Sequence, residues 1–193
     1  MPKLIVASNS PRRQQLIEEL GFSFDVKTLD VDESIEPETP PTDVAELLAI
    51  KKNQAYRAVL KDEIVLTADT VVIAKDSVLG KPKSREEAIA MINSFNNGTH
   101  QVVSGVCISS PSKLVSFSET TTVRFSELTS REICYYVDRY QPFDKAGSYG
   151  IQEWLGMIGI KRIEGSYFNV MGLPVHKVYQ ELVHSQGSND GWE

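Results

Sequence analysis

Three groups of residues in this chain have types and spacing that could do chemistry. The first is Ser8-Asn9-Ser10-Pro11-Arg12-Arg13, set between an apolar run, Leu4-Ile5-Val6-Ala7, and an amphipathic segment with Leu16, Ile17 and Leu20 on one face. Ser10 suits an N-cap and Pro11 the first helical position, where a missing N–H costs nothing. Strand, polar turn and helix N-terminus together favour an anion, because free N–H groups and the helix dipole converge there. Arginine forks match phosphate oxygens in a bidentate way that lysine cannot. The alternative for this stretch alone is a surface turn with solvated arginines.

The second group is Asp69-Thr70, which interrupts the β-rich apolar run 64–74 at its centre. An isolated ionised carboxylate in apolar surroundings is very costly. A cation, metal or lysine must therefore lie close, or the run breaks and Asp69 faces a cleft; an aspartate turning at a strand end is the plainer alternative. Such conflicts with binary patterning gather at functional sites. The third group is Asp32-Glu33, inside the acidic, proline-bearing stretch 30–43, DVDESIEPETPPTD. Hard divalent cations take carboxylate oxygens, while most of the other acids of the stretch read as a solvated connector.

The elements that must position these residues follow from periodicity and capping. Gly21 ends the first helix and residues 22–26 alternate like a strand. Thr42 or Asp43 caps the next helix, with Glu46 placed for a capping box. Val44, Leu47, Leu48, Ala55, Ala58 and Val59 follow a helical period, and the mid-helix Lys51 and Lys52 read as facing water. Lys75-Asp76-Ser77 turns a hairpin into Val78–Pro82. Ser84-Arg85-Glu86-Glu87 is a capping box for a helix closed by Asn97-Gly98. Residues 100–109 and 114–125 alternate as two long strands around Ser110-Pro111-Ser112-Lys113, and Thr129 with Glu132 opens a further helix. Residues 144–152 form a glycine-spaced loop, 157–163 a strand and 165–167 a turn. Residues 170–174 lead into a last helix ending near His184, and the polar tail from Ser185 reads as disordered. No repeat or linker divides the chain, so residues 1–184 read as one domain.

Composition narrows the function. With 41% hydrophobic and 24% charged residues, the 193-residue chain is of globular type. A net charge of −6 argues against nucleic-acid or anionic-membrane partners, which rely on a broad positive field. No apolar run approaches the roughly 20 residues that span a bilayer. Cys107 and Cys134 offer neither a disulfide framework nor a C-x-x-C pair, and His100, His176 and His184 lack zinc-ligand spacing. A cytoplasmic setting fits these features. Gly80-Lys81 is not a phosphate-binding P-loop, since Pro82 stands where Ser or Thr should, and 144–152 has no dinucleotide fingerprint.

The stretches A-S-N-S-P-R-R (7–13), A-D-T-V-V (68–72), G-K-P (80–82), D-K-A-G-S-Y-G-I-Q (144–152) and G-S-Y-F-N-V-M-G-L-P (165–174) together resemble the Maf family, from about residue 3 to 184. The resemblance implies an elongated α/β fold similar to inosine triphosphate pyrophosphatases: a mixed twisted sheet flanked by helices, with two lobes and a central cleft. It also implies hydrolysis of a nucleoside triphosphate to the monophosphate and pyrophosphate with a divalent metal, Mg²⁺ or Mn²⁺. By position, Asp69 matches the family's catalytic acid, proton acceptor for the attacking water and metal ligand, and Glu33 an acid near the metal. Ser8, Arg13, Lys52 and Lys81 match phosphate-side and catalytic polar residues. Arg12, Thr70 and Gln152 match positions that differ between subfamilies, and they are the residues of the dTTP/UTP type; the 7-methyl-GTP type carries tryptophan in place of Arg12. Gln152 could read a pyrimidine edge, since an amide both donates and accepts. Glu153-Trp154 departs from the small residues of many relatives, which bears on the shape of the base pocket.

The implied role is house-cleaning of the nucleotide pool by a dTTP/UTP pyrophosphatase. The alternatives are the same reaction on modified nucleotides, or a nucleotide-binding regulator of septum formation. A homodimer is compatible with the resemblance.

Overall fold

Apolar runs become strands and 3.6-period segments become helices in the order β1 (Leu4–Val6), α1 (Pro11–Glu19), β2 (Phe24–Val26), α2 (Val44–Arg57), β3 (Ile64–Ala74), β4 (Ser77–Leu79), α3 (Arg85–Phe95), β5 (Thr99–Ser109), β6 (Leu114–Phe125), α4 (Ser130–Tyr140), α5 (Trp154–Gly159), β7 (Ile160–Glu164), α6 (Tyr167–Met171) and α7 (Val175–Gln186). The computed structural model describes residues 2–59 and 62–186. One sheet runs β2-β1-β3-β5-β6-β7, with β4 paired to β3. β1 pairs in parallel with β2 and β3, whereas β3–β4 and β6–β7 are antiparallel. The fold is thus α/β with a mixed open sheet and flanking helices, as expected. By contacts the chain forms two compact units, Met1–Asp69 with Ser104–Glu119 and Gly172–Glu193, and Thr70–Val103 with Thr120–Met171.

In the first unit, β1 is hydrogen-bonded on both edges, so Leu4, Ile5 and Val6 are all buried. Such a strand needs an unbroken apolar run rather than alternation. α2 buries Val44, Ala45, Leu48, Ala49, Asn53 and Tyr56, a stripe at helical spacing. Its approach to β5 is set by Gly105: a Cβ there would lie 2.2 Å from the backbone N of Glu46 and 2.3 Å from the carbonyl carbon of Ala45. Only glycine lets helix backbone and strand backbone come this close. Two buried polar side chains then pin the helix. Asn53 Nδ2 donates to the carbonyls of Val65 (3.0 Å) and Cys107 (3.1 Å), and the Thr67 hydroxyl donates to Ala49 O (2.7 Å).

In the second unit, α3 and α4 bury Ala88, Ile92, Phe95, Ile133, Tyr136 and Val137 with Val72, Phe125, Tyr149 and Leu155. His100 joins Phe95, Phe125 and Tyr149 in an aromatic cluster and shares a 2.7 Å hydrogen bond with the Tyr149 hydroxyl. Burial lowers the His100 pKa to about 3. The Ala74–Ser77 hairpin places Lys75 (φ 49°) and Asp76 (φ 62°) in left-handed conformation, the two-residue turn that matches strand twist.

Five local expectations are corrected. Ser10 has N-cap backbone geometry but its side chain caps nothing; its N–H donates instead to Ser8 Oγ (3.2 Å). The Glu46 capping box is absent, because Asp43 is already helical (φ −94°, ψ −17°) and the Glu46 carboxylate accepts from the Ser116 hydroxyl (2.7 Å). Residues 157–159 are the end of α5 rather than a strand. Gly156 and Gly159 lie so close to Ile151 and to the Phe125 ring that a tight helical turn fits there. The 165–167 turn continues into α6, where buried Asn169 donates to Val102 O (3.1 Å) and Thr121 Oγ1 (2.9 Å). α7 runs two residues beyond His184; of the tail read as disordered, 187–193 lie outside the described residues.

Two outcomes follow. Gly105→Ala forces backbone against backbone, so urea unfolding should show a loss of about 3 kcal/mol. For His100, the unfolded chain protonates near 6.5 and the folded chain only near 3, so between these values the unfolded state binds more protons. That contribution is full above about pH 6.5 and is lost as pH falls. His100→Phe should therefore show a smaller drop in Tm between pH 7 and 4 than wild type.

Candidate active site

Asp69 does not break β3: the strand is continuous from Ile64 to Ala74. Successive strand residues alternate in direction, so Thr67 and Asp69 share a face, and the Thr67 bond to Ala49 identifies it as the face covered by α2. Lys52 stands three residues beyond Ala49, the next position along the same side of the helix. Its ammonium donates to Asp69 Oδ2 and lies 2.8 Å from Glu33 Oε1. The side chains of Lys52 and Asp69 are each 18% exposed, and that of Glu33 is 59% exposed. Burial alone would lower the Lys52 pKa, but Asp69 first and Glu33 second outweigh it and hold it above the ordinary lysine value. The costly carboxylate thus has its cation. The cation is a lysine that periodicity read as facing water.

The acidic stretch is held by α2. The Tyr56 hydroxyl donates to Lys27 O (2.8 Å) and accepts from Leu29 N (2.7 Å), fixing the chain that leads to Asp32 and Glu33. Lys51 pairs with Asp32 (2.8 Å) and donates to Ser34 O (3.1 Å). Hydrogen bonds from Lys51 and Ser34 hold the exposed Asp32 carboxyl below its usual range. Adjacent lysines therefore face adjacent acids, and only the Lys52–Glu33 pair also involves β3.

The polar turn after β1 lies in the same unit. Ser8 is buried; its Oγ accepts from Ser10 N, and its carbonyl accepts from Gln14 Nε2 (2.8 Å). Arg13 is not a solvated arginine. Its Nε donates to Gly172 O (2.8 Å) and its Nη1 to Ala68 O (3.0 Å), the carbonyl just before Asp69. Desolvation lowers the Arg13 pKa, opposed by the charge of Asp69. Arg12, half-buried, follows Pro11 in the first turn of α1. In this unit the structure thus brings Asp69, Lys52 and Glu33 into direct contact and sets Arg13 on the backbone beside them.

Thr70, Lys81 and Gln152 belong to the second unit. Thr70 is half-buried in β3, and Lys81 is exposed after Gly80, whose carbonyl accepts from Gly147 N (3.0 Å). Gln152 lies in a turn closed by Glu153 N donating to Gly150 O (3.0 Å). Its Oε1 is buried and finds no hydrogen-bond donor among the described residues. The departure at 153–154 has a local role: Glu153 accepts from the Tyr136 hydroxyl and pairs with Lys145 (3.1 Å), and Trp154 packs edge-on against Tyr135.

Sequence reasoning missed Asn53, Thr67 and Tyr56, the residues that position Lys52 and the acidic stretch. A signal existed for Asn53, a polar residue on the apolar stripe Ala45-Ala49-Asn53-Tyr56. Among the described residues, no group of three or more His, Cys, Asp or Glu side chains could hold a metal ion, and no helix is long and apolar enough to cross a membrane.

The family model described as Maf-like protein matches residues 3–185. The chain is 48% identical over 184 residues to the dTTP/UTP pyrophosphatase of Parabacteroides distasonis, covering 94% of this chain and 95% of the relative. It is 47% identical over 191 residues to the protein of the same name from Porphyromonas gingivalis, covering 97% and 96%. Among solved structures, the Staphylococcus aureus Ham1 protein shares the fold, with a TM-score of 0.57 at 16% identity over 95% of this chain and 99% of that one.

Because Arg13 serves two carbonyls through one fork, Arg13→Ala should lower stability by about 2–3 kcal/mol in urea unfolding. Arg13→Lys keeps the charge without the fork and should recover less than half of that loss.

Proposed function

Because the chain belongs to the Maf-like protein family, we propose that it is a nucleoside triphosphate pyrophosphatase acting on dTTP and UTP. The observation that carries the reaction class is the convergence of Asp69 and Glu33 on Lys52, with Arg13 on the carbonyl preceding Asp69. The dTTP/UTP pyrophosphatases that are 47–48% identical over nearly the whole chain support the substrate class.

In this reading water attacks the α-phosphorus, the new bond forms from the water oxygen, and the α–β bridging P–O bond breaks to release pyrophosphate. Asp69 orients the water and takes its proton, a task that needs a carboxylate within hydrogen-bond reach, directly or through one further water. Lys52 restrains one Asp69 oxygen and sets positive charge beside the phosphates. Arg12, Arg13, Ser8 and Lys81 supply further donors on the phosphate side, where positioning and charge stabilisation carry most of the catalysis.

The donor set fits a hard divalent ion. Two carboxylate oxygens, from Asp69 and Glu33, already converge on one cationic atom, Lys52 Nζ. They would hold Mg²⁺ or Mn²⁺ as hard oxygen ligands. When bound, the ion neutralises charge developing on the phosphates.

Gln152 supports the pyrimidine assignment, together with Thr70 and Arg12. Its buried amide oxygen has no donor among the described residues, and thymine and uracil offer an N3–H that cytosine does not. The product pair, monophosphate and pyrophosphate, suits a role in clearing the nucleotide pool.

A triphosphate panel assayed for pyrophosphate release with Mg²⁺ or Mn²⁺, and again after chelation, tests the reading. dTTP and UTP should exceed 7-methyl-GTP and ATP, and chelation should abolish turnover; a flat rate across bases sinks the pyrimidine assignment. Asp69→Asn should stay folded and keep nucleotide binding, with Tm lowered by loss of the ion pair to Lys52, while the folded enzyme loses about 10²–10⁴-fold in rate. A folded Asp69→Asn enzyme turning over dTTP at the wild-type rate ends the catalytic assignment.

A further inference from the structure

Gln152 sits in a four-residue turn, and its neighbours in that turn are unusually well held. Gly150 and Glu153 close it through a backbone hydrogen bond of 3.0 Å, and Ile151 points into the core. The Glu153 side chain folds back over Gly150, where a Cβ would lie 2.8 Å from Glu153 Cδ. One phenol reaches both ends of the turn: the Tyr136 hydroxyl donates to Glu153 Oε2 and accepts from Gly150 N at 3.0 Å. Tyr136 is fully buried on α4, a helix whose first turn is fixed by a complete Thr129–Glu132 capping box. The other Glu153 oxygen pairs with Lys145, itself buried and paired with Asp144 at 2.7 Å. Burial, then the hydrogen bond to Glu153 and its charge, push the Tyr136 pKa far up, so the hydroxyl keeps its proton for Glu153.

Against this background the Gln152 amide oxygen is the exception. It is buried without a donor among the described residues, while the groups on either side are satisfied. An unpaired buried acceptor is expensive and calls for an explanation. A ligand supplying the donor is one, provided the turn cannot relax to bring the amide another partner. A satisfied, rigid support is what keeps such a group aimed.

We propose that Tyr136 is a positioning residue for base recognition, its hydroxyl bracketing the Gly150–Glu153 turn and so holding the Gln152 amide toward the pyrimidine. The inference rests on the reading of Gln152 given above. Tyr136 touches neither phosphate nor water in this account, so its effect falls on substrate selection and on KM rather than on the chemical step.

The test is steady-state kinetics of wild type, Tyr136→Phe, Gln152→Ala and the double variant on dTTP, UTP and CTP, with Tm measured on the same preparations. Tyr136→Phe should lower the dTTP-over-CTP ratio of kcat/KM about tenfold, carried mainly by KM. In the Gln152→Ala background the same change should alter the ratio no further, because the two residues act as a unit. A purely structural tyrosine would lower Tm and the active fraction without moving the ratio. A folded Tyr136→Phe enzyme with the wild-type ratio overturns the proposal, as does an equal loss in the Gln152→Ala background. Wild type without a dTTP preference, or Gln152→Ala that keeps one, overturns the reading of Gln152 and this inference with it. Should Tyr136→Phe fail to fold, Glu153→Ala removes the same bracket from its other side and is held to the same ratios.

Discussion

A carboxylate halfway along a valine-rich strand is the constraint on which the first unit depends. Asp69 is largely removed from water, and an ionised group there is tolerated only beside a cation. Lys52 provides it, and Glu33 shares the ammonium. Deleting one member of such a pair leaves uncompensated charge and typically costs about 3–5 kcal/mol. The arrangement is therefore poor as a stabilising device when set against an apolar packing of the same volume. Its value lies in gathering two carboxylates and an ammonium at one point of an otherwise apolar scaffold.

Holding that point requires α2 to sit on the sheet without freedom to slide. Gly105 permits backbone contact at the start of the helix, while Asn53 and Thr67 fix its middle through hydrogen bonds to carbonyls. These are buried, directional bonds in apolar surroundings, where a shift of register would leave polar atoms unpaired. Arg13 does the equivalent for β3 from the other direction, through the carbonyl of Ala68. The same guanidinium reaches Gly172 just before α7, so one side chain joins three distant stretches of this unit.

The second unit applies a related logic to a loop. Residues 144–153 have little regular structure, yet Tyr136, Lys145 and Glu153 satisfy one another and the backbone around Gln152. The Gln152 amide oxygen lies buried within this support without a partner among the described residues. The Glu153-Trp154 departure from small residues is accommodated by the same network: Glu153 is its central acceptor, and Trp154 rests on Tyr135.

The α/β alternation, the long hairpin of β5 and β6, the Thr129–Glu132 cap and the anomaly at Asp69 were all legible in the chain. Each is a local pattern of periodicity, turn chemistry or capping. Tertiary structure alone decided which groups meet. Lys52 looks solvated by its helical position and is instead paired across 17 residues to Asp69. Arg13 finds a carbonyl 159 residues away, and Glu46 exchanges its expected cap for Ser116, 70 residues on. Residues 157–159, strand-like in type, wind into α5 because Gly156 and Gly159 sit against Ile151 and Phe125. The physical reason is common to all of these. Backbone conformation is biased by neighbours along the chain, whereas a buried charge or polar group takes whichever partner the packing of remote elements brings within hydrogen-bond reach.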